Sequence, residues 1–253
     1  NFEGAVAGGI PIINLIQNSL LPDKISSVYG ILNGTCNYIL TQMFEKKLSF
    51  QTALQNAQKE GFAEADPSDD VSGSDTAYKL LILSNLLFGN NANHREIYKE
   101  GITNITSLDL EMANKLGYTI TLLGITNLKN GFIQHRVHPC LILNNSLIAK
   151  VRNELNTVVI EGNMANKMII IGKGAGKKPT SSAVLSDIIN FDKPRKRILN
   201  NLNKTKIKSI GMLNRKSKFY LRMGVLDSPG VLADITAYFK SKKISISSMF
   251  QLE

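Results

Sequence analysis

Apolar and polar positions along the chain change rhythm twice, and the changes mark its organisation. In the first stretch, an apolar, strand-like segment within Asn1–Ile13 runs into a Gly-rich turn. A helix around Leu15–Leu21 follows, ending before Pro22, and then a second apolar strand over Ile25–Leu32. Strand, helix, strand is the rhythm of a parallel α/β layer. After Asn33-Gly34 the period lengthens. Tyr38, Ile39, Met43 and Phe44 form a helical stripe, and Ser49 is placed to cap a helix over Phe50–Glu60, with Gly61 just past its end. A loop rich in Asp, Pro and Ser leads to a helix near Ser74–Phe88 that is apolar on most of its surface and stops at Gly89. Thr106–Leu116 is another, closed by Gly117.

From Tyr118 the pattern turns to β. Ile120–Ile125 and Phe132–Val137 flank a turn ending Asn130-Gly131, a strong hairpin signal. Ile148–Val151, Thr157–Ile160 and Met168–Ile171 are predicted as further strands. Consecutive strands after helices predict an α+β domain with an antiparallel or mixed sheet. The loop GKGAGKKPTSS then leads into a helix over Ala183–Ile189, with Thr180 or Ser181 as its cap. Near the end, Lys218–Leu226 and Ile244–Phe250 are strand-like and flank a helix that starts at Asp227-Ser228-Pro229-Gly230. A βαβ unit of roughly 35 residues cannot bury its apolar face alone.

Composition narrows the classes. Among 253 residues, 43% are hydrophobic, enough for a core, yet no apolar run approaches the roughly 20 residues of a membrane helix. The start, NFEGAVAGGIPII, lacks the basic region and cleavage site of a signal peptide and reads as a chain entered in mid-domain. Cys36 and Cys140 have no close-spaced motif, so a disulfide framework is not expected and a reducing cytoplasm is. The formal net charge of +10 is local. Eleven basic residues and no acidic one lie between Lys193 and Arg222, and the remainder carries 19 basic against 20 acidic residues. A basic linker without interleaved aromatics is expected to stay solvated, so no nucleic-acid partner is predicted.

Candidate chemistry concentrates between Glu64 and Lys79, where five carboxylates (Glu64, Asp66, Asp69, Asp70, Asp75) accompany one lysine. Asp75 and Lys79, four apart on a predicted helix, share a face. By spacing alone they fit an exposed ion pair beside a solvated acidic loop. Against that, the helix is otherwise strongly apolar, and Gly61, Pro67 and Gly73 fix the shape of the loop. Such a cluster suits an amino-alcohol or amino-aldehyde substrate: a carboxylate can hold the ammonium, and a lysine can move the hydroxyl proton during hydride transfer.

The residues Ala57, Gly61-Phe62-Ala63, Asp66-Pro67, Asp70-Val71, Gly73, Asp75 and Lys79 at these spacings resemble the homoserine dehydrogenase signature. FEGAVAGGIPII, GILNGTCNYIL and GKGAGKKPTSSAVLSD extend the resemblance in the family's order along nearly the whole chain. It implies an NAD(P)-dependent oxidoreductase that interconverts homoserine and aspartate 4-semialdehyde in threonine, methionine and isoleucine biosynthesis. Lys79 would then exchange the proton at the substrate oxygen. Glu64 would bind the substrate amino group, with Asp70 and Asp75 in support, and Gly34, Thr35 and Phe62 would line the pocket. NAD or NADP would lie against Gly174 and Gly176. A monovalent cation, expected to be sodium, would sit at Glu3, Val6, Gly8 and Ile10. The family's catalytic domains pair through their sheets, which implies a homodimer.

The implied organisation is the last part of a Rossmann domain (1–32), a substrate-binding and dimerisation domain (33–175), a helix returning to the nucleotide domain (176–192), a basic linker (193–216) and half of an ACT domain (217–253). The ACT half resembles an amino-acid-sensing module and implies threonine as an effector. Because most of a Rossmann domain would precede Asn1, the isolated chain is expected to be inactive. Three departures from the family pattern stand out. Phe62 stands where many members have Tyr. Cys36 replaces the usual Thr and is expected to be a packed small residue rather than a nucleophile. Lys173, Lys177 and Lys178 make the Gly-rich loop unusually basic, which favours a phosphorylated cofactor. His135 and His138, three apart in a strand, face opposite sides and are read as ordinary strand residues. The rival readings are a non-catalytic oligomerisation or amino-acid-binding module, and a related amino-acid dehydrogenase with another substrate.

Overall fold

In the computed structural model, residues 2–90, 92–191, 207–212, 215 and 217–251 are described. The chain divides into two units, Asn1–Ser217 and Lys218–Glu253. In the first, a 3-10 turn at Glu3–Ala5 precedes helix α1 (Ile12–Asn14), which continues as a π turn over Leu15–Ser19. Strand β1 (Ile25–Ile31) then leads into four helices: α2 (Gly34–Glu45), α3 (Phe50–Lys59), α4 (Ser68–Val71) and α5 (Ser74–Phe88). A two-residue strand β2 (Tyr98–Lys99) and helix α6 (Ser107–Lys115) precede the long strands β3 (Tyr118–Lys129) and β4 (Phe132–Leu143). β5 (Leu155–Gly162), β6 (Lys167–Lys173), helix α7 (Lys177–Ile189) and a short β7 (Lys208–Ser209) complete the unit.

The sheet order is β2-β4-β3-β1-β5-β6, with β7 also paired to β4. Four of its pairings are antiparallel, and only the short β2 and β7 lie parallel to β4, so the sheet is mixed as expected. The parallel α/β layer predicted for the first 32 residues does not form. β1 is antiparallel to both β3 and β5 and occupies the middle of the sheet. No strand forms in residues 2–13. An apolar run satisfies a buried central strand in either kind of sheet, so its pattern alone does not select the neighbour.

Local signals are obeyed closely. Ser49 accepts a hydrogen bond from the Thr52 N–H at 3.2 Å, and Thr106 and Asp109 form a reciprocal capping box. Asn130 and Gly131 both take positive φ, 52° and 77°, as a tight hairpin turn requires. Two expectations fail. Ile148–Lys150 is a 3-10 turn rather than a strand. Ile148 of this turn and Val151 just past it pack on the sheet face lined by Ile31, Leu123, Ile125 and Val159. And α7 starts at Lys177 on Gly176, three or more residues before the expected Thr180 or Ser181 cap.

The helices cover the other face, where Val28, Leu32, Ile39, Leu80, Leu83, Ile133 and Val158 build the main core. The outer edge of β4 is covered by β2 and β7 in turn, and Ile210 N–H bonds to Ile133 O. The segment expected to be a solvated linker is therefore partly bound to the sheet, closing an edge that would otherwise be open to pairing. Residues 192–206, most of that basic run, lie outside the described residues. Within the second unit, helix α8 (Val231–Ser241) forms, but it begins after Gly230, which takes the cap position, so the expected start at Asp227–Gly230 lies just outside it. The flanking segments 218–226 and 244–250 are not strands: a strand exists only where a neighbour completes its hydrogen bonds, and no described residue does so. Among the described residues no helix is long and apolar enough to cross a membrane.

Candidate active site

The site is organised by the start of α2. Asn33 leaves β1 with extended backbone and caps α2, its Oδ1 accepting from the Cys36 N–H at 2.8 Å. The same amide donates from Nδ2 to Asp70 Oδ1 at 2.6 Å and to Asp75 Oδ2 at 2.8 Å. One side chain thus ties together β1, α2, α4 and α5. Two further contacts seal the corner: the Thr35 hydroxyl donates to Phe62 O at 2.6 Å, and the Cys36 thiol donates to Asp70 O at 3.1 Å.

Lys79 and Asp75 meet on one face of α5, as their spacing predicts. Lys79 Nζ lies 2.7 Å from Asp75 Oδ2 and donates also to Leu32 O at 3.2 Å. Both side chains are about three-quarters covered, at 23% and 29% exposure, which is not the solvated pair that spacing alone would favour. Burial lifts the Asp70 carboxyl above its ordinary value. The bond from Asn33 pulls it back, and the negative charge of Asp75 pushes it up again. Cys36 is fully buried, and its thiol is driven well above the usual range by burial and then by the Asp70 and Asp75 carboxylates. It is a thiol, not a nucleophilic thiolate.

The remaining predicted residues fall into three groups. Gly34 shares the hub, and a Cβ there would approach Glu154 O at 2.9 Å, so the turn can close onto β5 only without a side chain. Phe62 turns its ring inward against Tyr38, with centroids 4.7 Å apart; only its carbonyl faces the hub, through Thr35. Glu64 is exposed, and its side chain bonds to none of the clustered groups. Its backbone is held by Gln58, which donates to Glu64 O at 3.1 Å.

Gly174 and Gly176 lie at the junction of β6 and α7. Gly176 has φ 112° and precedes the free N–H groups that open the helix. Lys173 pairs with Glu154 at 3.3 Å, which leaves Lys177 and Lys178 as the basic groups of this turn. The Gly8 and Gly9 loop packs on the same junction, Gly9 N–H bonding to Lys173 O at 2.9 Å. In that loop Glu3 is buried, and its two carboxylate oxygens accept from the Ile13 and Asn14 N–H groups at 2.8 Å each, so it caps α1.

Sequence reasoning missed Asn33. The signal was present, since asparagine directly before a helical stripe is a preferred cap. Nothing local shows that the amide's other end reaches two carboxylates about 40 residues later. The two histidines of β4 separate as expected: His135 faces the core, bonded to Thr126 and Asn90, and His138 meets Arg215 at 3.1 Å. No group of three or more His, Cys, Asp or Glu side chains that could hold a metal occurs among the described residues.

Comparison with known proteins bears on all of this geometry. The family model described as homoserine dehydrogenase matches residues 11–189. The homoserine dehydrogenase of Helicobacter pylori is 40% identical over the whole of this chain, and that of Neisseria gonorrhoeae 39% over 99% of it. The chain spans about 60% of the length of each. Among solved structures, a homoserine dehydrogenase from Thiobacillus denitrificans is 38% identical with a TM-score of 0.88, covering 99% of this chain and 60% of that one. A hyperthermophilic archaeal homoserine dehydrogenase in complex with NADPH is 28% identical with a TM-score of 0.66, covering 78% of this chain and 57% of that one.

Proposed function

The chain belongs to the homoserine dehydrogenase family, and from that premise we propose that it carries the substrate half of an NAD(P)-dependent oxidoreductase interconverting homoserine and aspartate 4-semialdehyde. The observation that carries the proposal is the placement of Lys79. Its Nζ is held between Asp75 and the Leu32 carbonyl beside the Asn33–Asp70 bridge, with Ala77, Leu80, Leu83 and Phe88 of α5 packed in the core. A bound nicotinamide cofactor supplies the hydride acceptor or donor. Lys79 handles the proton: in oxidation its neutral amine takes the hydroxyl proton as hydride leaves the same carbon, and in reduction the ammonium returns a proton to the carbonyl oxygen. Asp75 fixes the amine's position. Asp70 and the exposed Glu64 are the carboxylates available to the substrate ammonium, and Gly34 and Thr35 shape the wall between them.

Gly174, Gly176 and the opening N–H groups of α7 are suited to an anionic cofactor. Lys177 and Lys178 in its first turn favour a phosphorylated form, NADP over NAD. The Glu3 loop fits a hard monovalent cation such as sodium. The buried Glu3 carboxylate supplies oxygen of the kind hard cations prefer, and no described backbone N–H bonds to the Val6 or Gly8 carbonyls. The half-covered sheet face, where Ile171 and Leu147 stand exposed, supports a homodimer. Helix α8 is the one element of the expected ACT half that forms among the described residues, and threonine is the effector such a module would take. Two free thiols agree with a cytoplasmic setting, and the proposed reaction would place the enzyme in amino-acid biosynthesis.

The test is Lys79→Ala in the full-length protein. Loss of at least a hundredfold in kcat for homoserine oxidation, with cofactor affinity kept, is the expected outcome. Unchanged turnover would sink the assignment.

A further inference from the structure

Asn156 stands between the two loops that the proposed reaction requires, and its amide oxygen has no hydrogen-bond partner among the described residues. It lies near the start of β5, opposite Gly172 of β6, and is 1% exposed. The Glu154–Lys173 ion pair clamps the same two strands beside it. Its Oδ1 is buried with no hydrogen-bond partner among the described residues. The amide rests directly on Gly174, where any Cβ would overlap it, and a Cβ at Gly34 would come within 3.6 Å of Oδ1. The order through this corner is therefore Lys79, the Leu32–Gly34 turn, Asn156 and Gly174. It runs from the proposed proton-transfer group to the proposed cofactor loop.

Buried acceptors in folded proteins are nearly always paired, and leaving one unpaired is destabilising. An amide oxygen enclosed by glycines on both sides, with no donor among the described residues, points to an N–H supplied by a ligand. A substrate ammonium has the carboxylates of Asp70 and Glu64 to meet it, and a substrate hydroxyl has Lys79. The carboxamide of a nicotinamide ring has no such partner elsewhere in the corner, and it carries both an NH2 donor and a carbonyl acceptor, the complement of an asparagine side chain.

We propose that Asn156 recognises the nicotinamide carboxamide of the bound cofactor, its Oδ1 accepting a hydrogen bond from the carboxamide NH2. This rests on the dehydrogenase reading above and names the group that turns the ring toward the Gly34 corner. Asn156 is then a cofactor-positioning residue, and the glycines at 34 and 174 are the space it needs.

The experiment compares, in the full-length enzyme, the binding of NADPH with that of its reduced 3-acetylpyridine analogue, in which a methyl group replaces the carboxamide NH2. Fluorescence titration gives both dissociation constants without turnover. The unaltered enzyme is expected to bind the analogue about tenfold more weakly. Asn156→Ala should bring that ratio close to one, and Asn156→Asp, which keeps an acceptor oxygen, should retain discrimination. Asn156→Ser removes the amide with a smaller disturbance and reads the same ratio if the alanine variant does not fold. A ratio unchanged by both removals overturns the proposal, as does a rise confined to KM for homoserine, which would assign the donor to the substrate. Failure of the unaltered enzyme to oxidise homoserine while it binds NADPH would sink the proposed function instead, and the ratio would still report on Asn156.

Discussion

Asn33 donates its side-chain amide to Asp70 at 2.6 Å, joining the cap of one helix to a carboxylate 37 residues later in the chain. The bond does local and distant work with one side chain. Its oxygen starts α2, while its nitrogen sits between Asp70 and Asp75 and keeps two carboxylates in one half-buried corner.

Asn33→Ala should therefore fail twice. Loss of the cap costs roughly 1 kcal/mol, and the two carboxylates would face each other with Lys79 as their nearest counter-charge. The expected result is a melting temperature lower by several degrees and a fall in kcat/KM of more than tenfold. Thermal unfolding and steady-state kinetics check both. A variant with normal kinetics would show that the bridge is only structural.

Asp70 gives the opposite balance of stability and activity. Its carboxyl is raised above the ordinary value of 3.8, chiefly by burial. A raised carboxyl pKa means that the folded state binds more protons than the unfolded state between 3.8 and the raised value. Stability from this group therefore falls as pH rises through that window. Asp70→Asn removes the burial of charge and should raise the melting temperature at pH 7 while lowering turnover. A lower melting temperature at pH 7 would contradict this reading.

His135 is held near a pKa of about 4 by burial, below its ordinary 6.5. Between those values the unfolded chain binds a proton that the folded chain does not, so stability drops as pH falls from 6.5 toward 4. His135→Gln keeps the polar contacts within reach and should flatten acid unfolding across that window. Denaturant midpoints measured from pH 7 down to 4 would show whether the slope survives the substitution.

Lys79→Arg separates charge from proton transfer. A guanidinium preserves the cation beside Asp75, so the melting temperature should change by no more than a few degrees, but it does not release a proton near neutral pH. Turnover should fall by at least a hundredfold. Retention of even a tenth of the original kcat would show that Lys79 acts only as a charge.

Much of this molecule was legible in its sequence. Ser49, Thr106 and the Asn130-Gly131 turn act over two to four residues, and each produces the helix start or hairpin it predicts. The spacing of Asp75 and Lys79 likewise fixed their shared face on α5. Tertiary structure decided which distant segments meet. An apolar run over Ile25–Leu32 is compatible with a parallel layer, yet Ile25–Ile31 lies antiparallel between β3 and β5, because strand partners are chosen by packing across the sheet. The same holds for Lys208–Ser209 along β4, for Glu3 capping α1, for the burial of the Asp75–Lys79 pair, and for Asn156 between Gly34 and Gly174. Caps and turns are satisfied by neighbours in the chain, so the local sequence specifies them. Charges and amides in a core are satisfied by groups brought from far along the chain, and only the folded arrangement shows which.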